Sequence, residues 1–178
     1  MPLFRAALTA TFVMLAAVPA LAQISREKAL DAVYPGAAIR SEQIFLTPSQ
    51  QKQVLTLADV DVPTAHYARY IATRDGKVIG YAYVDTHIVR TKRESLLISL
   101  DEKGQVLRID VTAFQEPPEY KASDAWLRQY RDRTLSDDLA VNRAIRPIAG
   151  ATLTARATND AVRRVLAIDE VVRDGGSR

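Results

Sequence analysis

The stretch HYARYIATRDGKVIGYAYVDTHIV, residues 66–89, decides the fold. Tyr, Ile and Val recur along it with polar residues between them, and Asp75-Gly76 breaks the pattern in the middle. Period-two alternation suits strands, and an Asp-Gly pair supplies the positive φ angles of a two-residue hairpin turn. The stretch ESLLISLDEKGQVLRIDVTAF, residues 94–114, repeats the design around a turn at Asp101 to Gly104. Together they predict an antiparallel meander of about four strands from Tyr67 to Phe114.

Outward from the meander the period changes. SREKALDAVYPGA, residues 25–37, predicts a short helix with Ser25 as N-cap, an apolar stripe of Ala29, Leu30 and Val33, and a stop at Pro35-Gly36. TPSQQKQVLTLAD, residues 47–59, predicts a second helix: Thr47 caps, Pro48 fits the first turn, and Gln50 stands where a capping box needs it. Beyond the meander, EPPEY (116–120) is a stiff loop. Asp124 to Arg131 reads as a helix capped by Ser123, Leu135 to Ile148 as irregular, and Ala155 to Ile168 as a helix. The apolar side of that last helix is Ala157, Ala161, Val162, Val165 and Ile168. The sum is an α+β fold, a twisted antiparallel sheet with helices packed on it.

The first 22 of the 178 residues read differently. A basic start, an apolar run and small residues at Ala20 and Ala22 form a secretory signal peptide pattern, cut before Gln23. This predicts export, to the periplasm in a Gram-negative cell. The formal charge is +3 with both signs interspersed, which reads as a solvated surface and gives no nucleic-acid footprint. There is no cysteine, which excludes disulfides, thiolate metal sites and ordinary iron–sulfur clusters. Two histidines are too few for a metal centre, so none is expected. His87 shares a strand face with Asp85, but no Ser or Cys is marked out as its nucleophile partner, so a structural or surface role is assigned to it.

The stretch IRPIAGATLTARATNDAV, residues 145–162, poses the functional question. Gly150 permits a tight turn, Ala149, Ala151 and Thr152 are small, and Thr154 can cap the helix behind them. A helix start offers unpaired N–H groups and a positive dipole end, which suit an anion. Arg146 and Arg156 add positive charge. By these residues alone the stretch is either a helix cap or a phosphate seat.

In its context, with EPPEY and the aromatic helix WLRQY before it, GATLT resembles the FMN-binding domain family. That family includes the covalently flavinylated subunits of the sodium-translocating NADH:quinone oxidoreductase and of the Rnf complex. Its Ser/Thr-Gly-Ala-Thr motif, usually with an Asp three residues earlier, carries FMN through a phosphoester on the last Thr. Here the matching residues are Ala149, Gly150, Ala151 and Thr152, so the resemblance implies attachment at Thr152 by a dedicated flavin transferase. Ala149 replaces the family's Ser or Thr, and Arg146 replaces its Asp. Arg146 would then be placed to pair with the FMN phosphate. The EPPEY loop resembles the family's Glu-Thr-Pro-Gly-Tyr loop, which implies Tyr120 near the flavin and brings Glu116 into the site.

The implied cofactor set is Ala149, Gly150, Ala151, Thr152, Leu153, Thr154, Tyr120, Glu116 and Arg146, with no catalytic residue. Glu116 also has the plainer use of satisfying a backbone N–H. Arg90 and Lys92 face either the phosphate or water. For His87, a place at the flavin edge is the alternative to its structural or surface role. Trp126 and Tyr130, one helical turn apart, read more readily as core or interface residues. The chain divides into a signal peptide (1–22), an N-terminal helical extension leading into the sheet (23–75), an FMN-binding domain (76–170) and a flexible tail (171–178). The resemblance implies an exported electron carrier serving membrane-bound or periplasmic redox partners rather than a stand-alone enzyme. The alternatives are a non-covalent FMN binder and a flavin-free binding or assembly module.

Overall fold

A computed structural model describes residues 24–175. Residues 1–23, where the signal peptide is expected, and residues 176–178 lie outside the described residues. Five antiparallel strands form one open sheet in sequence order: β1 (Ala38–Phe45), β2 (His66–Arg74), β3 (Lys77–Ile88), β4 (Arg93–Asp101) and β5 (Val106–Phe114). The helices are α1 (Arg26–Val33), α2 (Pro48–Ala58), α3 (Asp124–Leu127) and α4 (Thr152–Gly175). Pro118–Tyr120 and Arg128–Tyr130 are short 3-10 turns.

The hairpin signals form as the sequence predicts. Asp75 and Gly76 have φ of 50° and 74° and join Arg74 to its partner Lys77, the two-residue turn that needs both residues left-handed. At the β4–β5 turn Asp101 Oδ1 accepts from the N–H groups of Lys103 at 2.9 Å and Gln105 at 2.8 Å. Ser25 accepts from Lys28 N, and Thr47 and Gln50 form a reciprocal capping box.

The first strand is a correction. Residues 38–45 were expected within a helical extension, yet they pair along their whole length with β2, from Ala38 opposite Thr73 to Phe45 opposite His66. AIRSEQIF buries only Ile44, so it carries no alternation to read. Its strand conformation comes from the partner's free N–H and C=O groups, not from its own side chains. The sheet thus starts before the expected meander, and α2 bridges β1 and β2.

Both faces of the sheet are covered. On one, Tyr83, Leu96, Ile98 and Leu100 join α4 residues Val162, Val165 and Ile168 and α2 residues Val54 and Ala58. On the other, Ala82 and Leu97 meet Ala29, Leu30 and Tyr34 around α1. Leu96, Leu97 and Ile98 therefore alternate between two cores, which is why β4 is apolar almost continuously. Each such buried aliphatic side chain contributes about 1.5–3 kcal/mol. Gly80 lets Tyr34 cross the strand: a Cβ there would collide with the Leu100 carbonyl and the Tyr34 ring. The Tyr34 hydroxyl lies 2.7 Å from both the Tyr81 and the Leu100 carbonyls.

α4 is longer than Ala155 to Ile168 at both ends. Val171 is buried within it and the helix continues to Gly175, so the segment read as tail from 171 is structured to there. The reading of all charges as solvated surface also needs correction. Arg163 is buried and donates to the carbonyls of Ala58 at 2.6 Å, Ser136 at 2.7 Å and Leu139 at 3.1 Å. It ties α2 and the irregular segment 135–148 to α4.

Candidate functional site

Three loops and the start of α4 enclose a cleft of about 710 Å³. Val89, Arg90 and Thr91 of the β3–β4 turn form one wall. Glu116, Pro117, Glu119 and Tyr120 form another, and Gly150 to Thr154 supply the edge. Its size is that of a pocket for a ligand of several hundred daltons.

The turn and the EPPEY loop are tied by one carboxylate. Glu116 Oε1 accepts from the N–H groups of Thr91 at 2.7 Å, Lys92 at 2.8 Å and Arg90 at 3.3 Å. The Thr91 and Lys92 N–H groups hold this carboxyl below its ordinary range, because they favour its charged form. The plainer role foreseen for Glu116 is thus fulfilled threefold, and it also lines the cleft.

At the cleft edge Gly150 has φ 77°, and Ala151 N bonds back to the Ile148 carbonyl at 3.2 Å. The helix then begins at Thr152. Thr154, read as the cap, is instead the third residue of the helix and is buried. α1, α2 and α3 each have a Ser or Thr side chain bonded to a first-turn N–H; none does so at α4. Among the described residues, the N–H groups of Thr152, Leu153 and Thr154 have no acceptor. Three orphan donors and a positive dipole end therefore open beside an exposed threonine hydroxyl.

Of the expected set, Gly150, Ala151, Thr152, Leu153, Thr154, Tyr120 and Glu116 come together in this cleft. Ala149 is exposed next to it but does not line it. Arg146 is not brought there. It lines a different depression with Trp126, Gln129 and Arg133, where its N–H donates to Gln129 Oε1 at 2.9 Å and its carbonyl accepts from Trp126 Nε1 at 2.7 Å. Arg146 is therefore not placed as a phosphate partner from this position. Trp126 and Tyr130 form an edge-to-face pair at 5.6 Å, and Tyr130 is fully buried with its hydroxyl 3.2 Å from Asn159 Oδ1, the core role expected of it. Arg90 is the one basic side chain among the described residues lining the cleft.

A buried ionic chain meets α4 at Thr158 and Arg164, about one and nearly three helical turns beyond Thr154. Arg164 pairs with Asp85 at 2.8 Å, and Asp85 with His87 Nδ1 at 2.9 Å. His87 Nε2 in turn meets Glu94 Oε2 at 3.0 Å, and Thr158 donates to the same oxygen at 3.2 Å. Burial alone would push the imidazole's pKa down, but the hydrogen bonds and charges of the two carboxylates outweigh it and raise it to about 9. Sequence reasoning paired His87 with Asp85 but left Glu94 unassigned. Glu94 faces His87 only because β3 and β4 pair with these two residues directly opposite, a register no single strand shows.

Residues 93–167 match the family model of the FMN-binding domain. This segment of the chain is an FMN-binding domain. No curated protein and no solved structure is significantly similar to the chain. FMN is accordingly the cofactor, and the protein is an FMN-binding flavoprotein. The matched segment carries β4, β5, the EPPEY loop and most of α4. It also contains the cleft residues from Glu116 to Thr154, whereas Val89, Arg90 and Thr91 precede it.

The cleft fits such a ligand in its chemistry. Three free N–H groups and Arg90 suit the phosphate, while Val89, Pro117, Tyr120 and Leu153 offer apolar surface to a flat ring.

Proposed function

We propose that Thr152 carries FMN as a phosphoester in this cleft, and that the protein is an exported electron carrier matured by a flavin transferase. The observation that supports this best is the uncapped start of α4: three N–H groups without acceptors lie beside the exposed Thr152 hydroxyl in a cleft of sufficient size. Attachment from FAD would join Thr152 Oγ1 to the FMN phosphorus. The pyrophosphate bond breaks, and AMP leaves with the hydroxyl proton. The resulting diester keeps one negative charge, which the helix start and Arg90 receive.

The bound flavin would supply one- and two-electron chemistry. The protein's own part is to hold the phosphate, flank the ring with Tyr120 and Leu153, and leave an edge open to partners. Both of these apolar side chains are substantially exposed at the cleft mouth. Export rests on the signal peptide pattern of residues 1–22. No helix among the described residues is long and apolar enough to cross a membrane. The donor and acceptor would be membrane-bound or periplasmic redox proteins.

The test is intact mass and in-gel fluorescence of denatured protein, produced in the periplasm with a flavin transferase, beside Thr152→Ala. A fluorescent band with one FMN ester, lost in Thr152→Ala, supports the assignment. A dark band of unmodified mass excludes the covalent bond. If that protein also fails to bind free FMN, the flavin-free binding module replaces the carrier.

A further inference from the structure

The cleft has a charge problem that one residue solves. Among its described lining residues are two carboxylates, Glu116 and Glu119, and a single cation, Arg90. A phosphate entering this cleft meets acids on one wall and depends on the helix start and Arg90 for compensation. The Arg90 guanidinium is exposed and has no carboxylate partner among the described residues. Its backbone is not free to wander. It sits in a four-residue turn closed by Val89 N on the Lys92 carbonyl at 3.1 Å, with three successive N–H groups gathered on Glu116 Oε1. Convergent N–H groups of this kind make an anion seat. Here the protein's own carboxylate fills it, so the turn is fixed and Glu116 is itself partly neutralised.

We infer that Arg90 is the residue that makes this cleft select a phosphorylated flavin over an unphosphorylated one, and that Glu116 is the positioning residue that holds Arg90 to the cleft wall. Arg146 lies at a separate depression and takes no part. The inference deepens the FMN reading above and rests on it. It adds which cation reads the phosphate and how that cation is held.

The experiment uses full-length mature protein made without a transferase, titrated with FMN and with riboflavin while flavin fluorescence is followed. Wild type is expected to bind FMN about tenfold or more tightly than riboflavin at low salt, the scale of a charge-assisted contact. The margin should shrink as salt is raised. Arg90→Gln should bring the two flavins to within about threefold, chiefly by weakening FMN, with the thermal midpoint unchanged, because one charge-assisted contact is removed and no buried partner is orphaned. Glu116→Gln should reduce the margin in the same direction, and Arg90→Lys should retain part of it. A purely structural role for either residue would move both flavins together.

A second arm covers a protein that takes FMN only as the ester. Flavinylation by the transferase should then slow about tenfold in Arg90→Gln. An unchanged FMN preference in Arg90→Gln, or an unchanged flavinylation rate where free flavin does not bind, overturns the inference while the FMN assignment stands. Wild type that neither binds FMN nor is flavinylated sinks the assignment itself, and this inference with it.

Discussion

Glu94 Oε2 lies 3.0 Å from His87 Nε2, with Glu94 fully buried and the His87 side chain 8 % exposed. Because Asp85 holds the other ring nitrogen, both nitrogens are donors and the ring is an imidazolium. The native pKa of about 9 stands above the ordinary 6.5, so the folded chain holds this proton more tightly than the unfolded chain. The stabilisation is complete below pH 6.5 and is lost as pH rises toward 9. Urea unfolding at pH 6 and pH 9 should show wild type losing stability over this window. His87→Gln should be less stable by about 2–4 kcal/mol at pH 6, since it leaves two buried carboxylates short of a counter-charge, and nearly flat in pH. Parallel pH profiles would assign the titration to another group.

Arg146 gives the converse of the Arg90 result. Its N–H and carbonyl are held by Gln129 and Trp126, and its side chain lies outside the cleft. Arg146→Ala should leave the FMN-to-riboflavin ratio within about twofold of wild type, because an exposed side chain that lines another depression makes no direct contact with the phosphate and is screened by salt. A collapse of the ratio in Arg146→Ala would show that this arginine reaches the phosphate after all.

Gly80 is required by close approach rather than by φ. A methyl group would meet the Leu100 carbonyl, which cannot move without breaking the β3–β4 pairing, and the Tyr34 ring that seals α1 onto the sheet. Gly80→Ala is expected to cost about 2–3 kcal/mol in urea unfolding, in the range of overpacked cores. Wild-type stability would mean that Tyr34 swings away freely.

Arg163 links three backbone carbonyls inside the protein, one of them at the end of α2. Arg163→Met keeps the aliphatic stem but strands those acceptors. Its thermal midpoint should fall by a shift equivalent to about 2–4 kcal/mol, within the range for broken buried polar networks. Faster hydrogen exchange in α2 and in residues 135–148 should accompany it. A loss spread evenly over the sheet would contradict this local tie.

The parts of the fold legible in the sequence are those with their own local signal. Asp75-Gly76, Ser25, Thr47 with Gln50, and Ser123 each dictate a turn or a cap through contacts within a few residues. The alternation between 66 and 114 dictates strands for the same reason. β1 was not legible, because a polar edge strand borrows its conformation from its neighbour. Thr154 misled because a hydroxyl near a helix start reads as a cap whether or not the backbone turns there; the chain enters α4 two residues earlier.

The same division runs through the site. The run Gly150-Ala151-Thr152 and the EPPEY loop were visible as sequence, and their meeting in one cleft follows from the order of elements around the sheet. Which arginine faces that cleft was not visible, since charge carries no direction in a sequence. Arg146 is three residues from the motif yet belongs to another depression, while Arg90, in a turn some sixty residues away by sequence, lines the cleft. The sequence by itself determined the strands, the caps and the kind of chemistry available at Thr152, because these depend on neighbours along the chain. Only the tertiary structure decided that Glu94 faces His87 and Glu116 holds Arg90, because strand register and loop packing are set by partners far apart in sequence.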